Sequence, residues 1–231
     1  MYKACIFDLD GTLTDTLDSL AHSVNLAMKE LGIPGITREE CRQFVGNGSA
    51  VLIEKTLKKA GEEYLSRFEE ALAVYLRVFD ENCTWHVKPY DGIPDLIQEM
   101  KQEGMKLGVL SNKPDRQAVH VVETVFGKGT FDLIRGQRDD FPRKPDPSAS
   151  LLIAETFQAE PSEVLYIGDS EVDAATGKAA GMDTVLVTWG FRSREVLEEA
   201  GPSWIADSTK EIVEIMKNRR KRDEQLQRRM P

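Results

Sequence analysis

Cysteine is scarce and unpatterned in this sequence. The three present, Cys5, Cys41 and Cys83, are odd in number, widely separated and without a Cys-x-x-Cys spacing. Neither a disulfide framework nor a thiolate zinc site is expected, and all three read as reduced packing residues. Long hydrophobic runs are also missing: no stretch approaches the roughly 18 apolar residues that cross a bilayer. The first apolar run begins at Tyr2, which leaves no room ahead of it for a charged n-region and a cleavage site. Secretion is therefore not expected, and the cytoplasm is the expected compartment. Positive charge is in deficit, with a formal net charge of −9, so general nucleic-acid binding and membrane association are not expected. No internal repeat is apparent, and low complexity is approached only at the C-terminus. There, residues 217–231, "KNRRKRDEQLQRRMP", hold seven Lys/Arg against two Asp/Glu, which leaves −14 for the rest of the chain. Two readings of this basic tail stand: a solvated, partly helical end with no known partner, or a segment that docks on an acidic surface of a partner or of the protein's own body.

What is present is enough for a sizeable core, with 231 residues of which 41% are apolar and 30% charged; one large domain or two small ones would fit. The chain opens "MYKACIFDLDGTLTDT". Residues Tyr2 to Leu9 have the length and composition of a buried strand, and Gly11 ends it. In extended chain, residues two apart point the same way, so Asp8 and Asp10 would project together from the strand's carboxyl end. Two carboxylates so placed repel, and each resists ionisation without a nearby cation. That pattern asks for a metal.

Beyond the opening strand the periodicity turns helical and stays so to about residue 83. "DTLDSLAHSVNLAMKELG" sets Leu17, Leu20, Ala21, Val24, Leu26, Ala27, Met28 and Leu31 near a 3.6-residue period and closes at Gly32. Thr37 followed by Glu40 predicts a capping box at the start of a second helix. A third helix ends at Gly61, and a fourth over 62–81 carries Tyr64, Leu65, Phe68, Ala71, Leu72, Tyr75 and Leu76 on one face. Nothing in this stretch reads as a strand, so residues 15–85 are expected to form a helical bundle inserted into another domain made of residues 1–14 and 86–231. From residue 86 onward helices alternate with the apolar runs "KLGVL", "FDLIRG", "EVLYIGD", "DTVLVTW" and "SWIAD". Such alternation implies βαβ units and an α/β fold with a parallel sheet flanked by helices.

In an open parallel sheet the ligand site lies outside the carboxyl ends of the strands. Three inferred strands end there in reactive residues: Asp8 and Asp10, then Ser111-Asn112-Lys113, then Gly168-Asp169-Ser170 with Asp173 one helical turn on. "RKPDP" adds Lys144 on a proline-stiffened loop. Singly, each motif also reads as a turn or a helix N-cap; in this order, each at a strand end, caps explain them poorly. "FDLDGTLTDT", "VLSNKP", "RKPDP" and "YIGDSEVDAATGKAAG" resemble the four motifs of the haloacid dehalogenase superfamily of phosphohydrolases, and the helical insert resembles that superfamily's α-helical cap domain. "FVGNGSAVLIEKTL" and "YDGIPDLIQEMKQEGMKLGVLSNKP" resemble its phosphoglycolate phosphatase group.

The resemblance implies a Rossmann-like core and a Mg²⁺-dependent phosphomonoesterase acting on a small phosphorylated metabolite, 2-phosphoglycolate first among them. Inorganic pyrophosphatase, nucleotidase and phosphosugar phosphatase or mutase remain as alternatives, as does a phosphate-binding module without turnover. It further implies Asp8 as nucleophile and Asp10 as general acid and base. Asp8, the main-chain carbonyl of Asp10, Asp169 and Asp173 are the implied Mg²⁺ ligands. Ser111 and the amide of Asn112 would hold phosphate oxygens, helped by backbone amides near Gly11 and Thr12, while Lys144 neutralises the phosphate. In the cap, Gly46, Asn47 and Gly48 are either substrate contacts or an interhelical turn with an N-cap. Arg42 either meets a substrate carboxylate or forms a surface salt bridge. Trp189 or Arg192 of "TWGFR" lines the site or packs in the core. A monomer or homodimer is expected. Thr14, in a place where the phosphatase group more often carries an aliphatic residue, and the basic tail both depart from the group's pattern.

Overall fold

The computed structural model describes residues 1–227; residues 228–231 of the basic tail lie outside the described residues. Strand β1 (Ala4–Phe7) and the two-residue β2 (Thr14–Asp15) open the chain. Helices α1 (Leu17–Glu30), α2 (Arg38–Phe44), α3 (Ser49–Ala60) and α4 (Phe68–Asn82) follow, then the two-residue β3 (Lys88–Pro89). The remainder alternates: α5 (Ile93–Gln102), β4 (Lys106–Pro114), α6 (Asp115–Phe126), β5 (Leu133–Gln137), α7 (Ser148–Thr156), β6 (Val164–Gly168), α8 (Glu171–Ala180), β7 (Asp183–Val187), α9 (Arg194–Ala200), β8 (Trp204–Ala206) and α10 (Thr209–Gln227).

Six strands form one sheet in the order β5-β4-β1-β6-β7-β8, and every neighbouring pair is parallel. The order follows from the sequence pattern: Ala4–Phe7 is buried at every position, as a central strand covered on both faces must be. From β1 the chain winds outward through β4 and β5, then returns to the other side for β6, β7 and β8. The sheet therefore reverses its winding at β1, and a crevice opens at the carboxyl ends of β4, β1 and β6, where such folds bind ligands.

β4 runs further than its apolar run predicts. It continues through Ser111, Asn112 and Lys113 to Pro114, with a register irregularity against β5 between Leu110 and Pro114. A bulge of this kind re-aims side chains, and here it turns three polar residues of a buried strand toward the crevice.

Between β1 and β4 the four helices pack on one another, and the predicted capping box at Thr37 and Glu40 is present. Of the expected apolar face of α1, Leu17, Leu20, Ala21, Val24, Ala27 and Met28 are buried, whereas Leu26 is exposed. The fourth predicted helix is broken: residues 62–67 form a 3₁₀ turn, and α4 starts at Phe68. Its buried residues are Ala71, Tyr75, Val78 and Phe79, so the buried stripe extends one turn past the predicted one. Sequence periodicity also misses the antiparallel ladder of β2 with β3, which pairs Thr14 with Pro89 and Asp15 with Lys88. Two residues are too short to leave an alternating pattern. This ladder ties the point where the chain leaves the sheet to the point where it comes back.

The apolar core runs through sheet and insert without a break, joining Phe7 and Leu9 to Tyr75 and Phe79 in one cluster. A second cluster, around Ile6, Ile153 and Tyr166, fills the opposite face. All three cysteines are buried free thiols. Among the described residues no helix is long and apolar enough to cross a membrane. The described part of the basic tail belongs to α10 and lies against the protein's own acidic groups. Lys217 pairs with Glu99 at 3.0 Å, Arg219 with Asp183 at 3.0 Å and Arg220 with Glu103 at 2.7 Å. These pairs are partly exposed and contribute little stability each, but they give the charge asymmetry an intramolecular counterpart.

Two substitutions test this architecture by urea unfolding. Ile6→Ala, on the fully buried central strand, is expected to cost about 2–5 kcal/mol. Thr37→Ala, which removes the cap acceptor for the Glu40 amide, is expected to cost about 1 kcal/mol.

Candidate active site

Asp8 follows directly on β1, and its own N–H donates to the Ile167 carbonyl of β6 at 2.8 Å. The side chain is thereby aimed from the middle of the sheet into the crevice. Lys144 reaches it across the loop that follows β5: its Nζ lies 2.9 Å from Asp8 Oδ1 and 2.8 Å from Asp173 Oδ1. The ammonium is 3% exposed and the Asp173 carboxylate fully buried. Burial opposes the charge on Lys144, but Asp173 and Asp8 outweigh it and hold its pKa well above the usual value.

The loop carrying Lys144 is fixed by Asn112. The Asn112 side chain accepts from the Lys144 main-chain N–H at 2.9 Å and donates to its carbonyl at 3.2 Å. The same amide group also donates to the Gly46 carbonyl at 3.2 Å. The Asn112 side chain thus joins β4, the Lys144 loop and the helical insert. Ser111 Oγ accepts from the Lys113 N–H at 3.2 Å.

Asp169 and Asp173 come from the end of β6 and the first turn of α8. Asp169 accepts from the Phe191 N–H at 2.7 Å. Asp173 accepts from Lys144, from the Ser170 hydroxyl at 2.6 Å, from the Asp169 N–H at 3.3 Å and from the Tyr166 hydroxyl at 3.4 Å. A carboxylate has about four such positions, so an ion beside Asp173 must displace one donor or be met through water. Oxygens of Asp8, Asp169 and Asp173 all lie within 4.8 Å of one another. Burial pushes the Asp8 carboxyl above the usual carboxylate range, Lys144 pulls it back, and Asp173 raises it again. Burial also raises Asp169 well above that range, with Asp173 and Asp8 adding to the effect. Buried, hard-oxygen, mutually repelling donors suit a divalent cation such as Mg²⁺.

Asp10 stands apart from this cluster. Its nearest cation is Lys113, with Nζ 3.2 Å from Asp10 Oδ1. Gly11 makes the turn that separates the two aspartates: its φ is +86°, and a Cβ there would fall 2.3 Å from Asp169 Oδ2. Only glycine fits both the left-handed backbone and the carboxylate behind it.

Asp8, Asp10, Ser111, Asn112, Lys144, Asp169, Gly46 and Gly48 all line one cleft. It encloses about 570 Å³ counting the open mouth. Gly11, Thr12, Asn47 and Arg42 do not line it. The Trp189 indole donates to the Thr12 carbonyl at 3.1 Å, and the Asn47 carbonyl accepts from Arg143 at 2.8 Å. Arg42 is taken up by the main chain of the loop after β7, donating to Gly190 and Phe191 carbonyls at 3.0 and 3.2 Å; these bonds, beside a 4.0 Å approach to Glu39, direct its guanidinium away from the cleft. Of the "TWGFR" pair it is Arg192 that lines the cleft, where it donates to the Val45 carbonyl at 2.9 Å and pairs with Glu171 at 3.0 Å.

The sequence places Lys113 at a strand end without a specific role and Tyr75 on an apolar helix face, and does not single out Phe79; all three close the cleft from β4 and α4. The signal for Phe79 was one helical turn beyond Tyr75 on the same face, and the two rings stack at 5.4 Å.

A family model described as haloacid dehalogenase-like hydrolase matches residues 5–187. The chain belongs to that family. The haloacid dehalogenase-like chain is 32% identical to the phosphoglycolate phosphatase of Aquifex aeolicus over 217 residues, which is 94% of this chain and 97% of the relative. It is 35% identical to that of Thiobacillus denitrificans over 200 residues, 85% and 88% of the two chains. The crystal structure of a predicted phosphoglycolate phosphatase from Haemophilus somnus 129PT superposes with a TM-score of 0.86 at 25% identity, covering 93% of this chain and 98% of that one.

The pinned Lys144 gives a test of this haloacid dehalogenase-like site. Asp173→Ala leaves a buried ammonium with one carboxylate of its two. Lys144 keeps Asp8 and one repelling carboxylate is gone, so the cost in urea unfolding is expected to be about 1–3 kcal/mol, that of buried donors losing their acceptor, rather than the larger cost of an unpaired buried charge.

Proposed function

We propose that this protein is a cytoplasmic, Mg²⁺-dependent phosphatase that hydrolyses a small phosphomonoester, 2-phosphoglycolate before others, through a phosphorylated Asp8. The observation that carries the reading is the Asp8–Lys144 pair at 2.9 Å, beside Asp10 and Asp169 in one cleft. In the first step an Asp8 carboxylate oxygen attacks phosphorus, the phosphorus–oxygen ester bond breaks, and Asp10 delivers a proton to the departing alkoxide. In the second, Asp10 takes a proton from a water that attacks the phosphoryl group, releasing phosphate and restoring Asp8.

Lys144 has two tasks in this scheme. It keeps Asp8 ionised against the burial that favours its neutral form, and it neutralises charge on the phosphoryl oxygens. Ser111 Oγ and the Asn112 N–H, at the end of β4, hold those oxygens in line with Asp8. Asp8, Asp169, Asp173 and the main-chain carbonyl of Asp10 would hold the metal. When bound, the ion supplies the compensation that lets two anions approach each other. Residues 15–85 act as a cap over the cleft, with Gly46 and Gly48 on its rim and Tyr75 and Phe79 as its apolar wall.

Support for phosphoglycolate comes from the relatives of that name, similar along nearly their whole length, and from a cleft lined by cationic as well as acidic groups. The experiment is steady-state phosphate release with Mg²⁺ across 2-phosphoglycolate, pyrophosphate, nucleoside monophosphates and sugar phosphates. A kcat/KM for phosphoglycolate at least about tenfold, or 1.4 kcal/mol, ahead of the rest is expected. Comparable turnover of many esters would remove the assigned substrate. Asp8→Asn is expected to abolish release, and release that survives it would sink the mechanism.

Metal binding is read separately, by thermal unfolding. Raising Mg²⁺ to about 100 times its dissociation constant is expected to stabilise the wild type by about 2.7 kcal/mol. Asp169→Asn is expected to lose most of that shift.

A further inference from the structure

Three cations line the cleft, and two of them are already committed. Lys144 is shared between Asp8 and Asp173, and Arg192 is divided among Glu171 and the main-chain carbonyls of Val45 and Arg42. Lys113 is different. Its side chain is 1% exposed and its Nζ pairs with Asp10 Oδ1 at 3.2 Å, but that contact lies outside hydrogen-bond geometry, so the ammonium's donors are not met by it. Its Nζ also lies over the Phe79 ring, 4.5 Å from the centroid. An ammonium has three donors, and leaving them unmet away from water is costly. The bulge in β4 and the aromatic wall of α4 therefore hold a buried, underused positive charge at the edge of the cleft.

We propose that Lys113 is the specificity residue: its ammonium binds a second anion of the substrate, a carboxylate carried on the carbon next to the scissile ester oxygen. This rests on the reading of Asp10 as proton donor to the leaving group. An oxygen hydrogen-bonded to Asp10 lies within about 6–8 Å of Lys113 Nζ, depending on which carboxylate oxygen it meets. A carboxylate one carbon from that oxygen spans the remaining distance, whereas one at the end of a longer chain points elsewhere. An ester with no second anion offers the ammonium no acceptor beyond Asp10. Sites that pair a buried polar group reject analogues lacking the partner far more strongly than apolar pockets reject a missing methylene.

The test compares kcat/KM for 2-phosphoglycolate and for ethyl phosphate, which lacks the carboxylate, in wild type, Lys113→Met and Lys113→Arg. Wild type is expected to favour phosphoglycolate by at least about 100-fold. Lys113→Met, which fills the space beside Phe79 without the charge, also removes the cation beside Asp10 and so slows both esters, but phosphoglycolate is expected to fall at least about tenfold further than ethyl phosphate, chiefly through its KM. Lys113→Arg keeps the charge in another shape and is expected to retain part of the preference; it carries the comparison if the methionine variant does not fold. A fall of both esters by the same factor would mean that Lys113 serves only to position Asp10, and would overturn the proposal. So would a wild type that turns over the two esters within about threefold of each other, which leaves the phosphatase reading intact. Phosphate release from neither ester nor any other in the panel would instead remove the reading of the reaction, and this proposal with it.

Discussion

The arrangement of the whole cleft follows from one buried ammonium, that of Lys144 between Asp8 and Asp173. A charge taken out of water is tolerated only where its geometry is good and its neighbours are themselves satisfied. Each condition recruits another part of the chain. Good geometry needs the loop after β5 to stop at one place, which the Asn112 side chain enforces by binding Lys144 through both its main-chain N–H and its carbonyl. Satisfied neighbours need Asp173 to be filled, which Ser170, Tyr166 and the Asp169 N–H accomplish. These contributors stand on β4, β6 and the start of α8, so they meet only because the sheet places β1 between β4 and β6.

The same cluster is short of positive charge. Asp8, Asp169 and Asp173 face a single Lys144 within one buried pocket, so the four groups sum to two negative charges when all are ionised. Burial answers by raising Asp8 and Asp169 toward their neutral forms. A divalent cation held there would answer more completely, since it would balance the excess and favour the ionised form of Asp8. Asp10 sits outside this account because Lys113 is its partner. Two aspartates two residues apart thus meet different environments, which is the condition for giving one the part of nucleophile and the other that of proton carrier.

Much of this was legible in the sequence, and for physical reasons. A strand buried on both faces writes itself as a continuous apolar run, so β1, β4 and β6 were visible, and the polar residues at their ends stood out against them. The alternation of periods after residue 86 gave the parallel sheet. What was hidden depends on contacts rather than composition. The β2–β3 ladder involves two residues on each side, the 3₁₀ break before α4 keeps a helical periodicity, and the extension of β4 looks like a loop because its residues are polar. The contacts of Arg42 and Lys113 are not legible for a common reason: a long cationic side chain can reach several places, and the sequence does not say which acceptor lies within its length. Arg42 found main-chain carbonyls, and Lys113 turned inward beneath Phe79.

The helical insert is coupled to the acidic cluster by a short path of hydrogen bonds. Arg42 of α2 holds the carbonyls of Gly190 and Phe191, and Arg192 of that same loop holds the carbonyls of Arg42 and Val45. The exchange is reciprocal, so neither element can shift against the other without breaking bonds made in both directions. Between these two arginine contacts the Phe191 N–H donates to Asp169, and a Cβ on Gly190 would lie 2.3 Å from the Asp169 side chain. The loop is therefore packed as tightly against the carboxylate as it is tied to the insert. A displacement of α2 that carried the loop with it would take away the Phe191 N–H that favours the ionised form of Asp169, while a displacement that left the loop behind must break the arginine contacts first. Because main-chain carbonyls, rather than carboxylates, accept these bonds, the link is set by backbone geometry and depends little on the ionic strength that weakens exposed ion pairs.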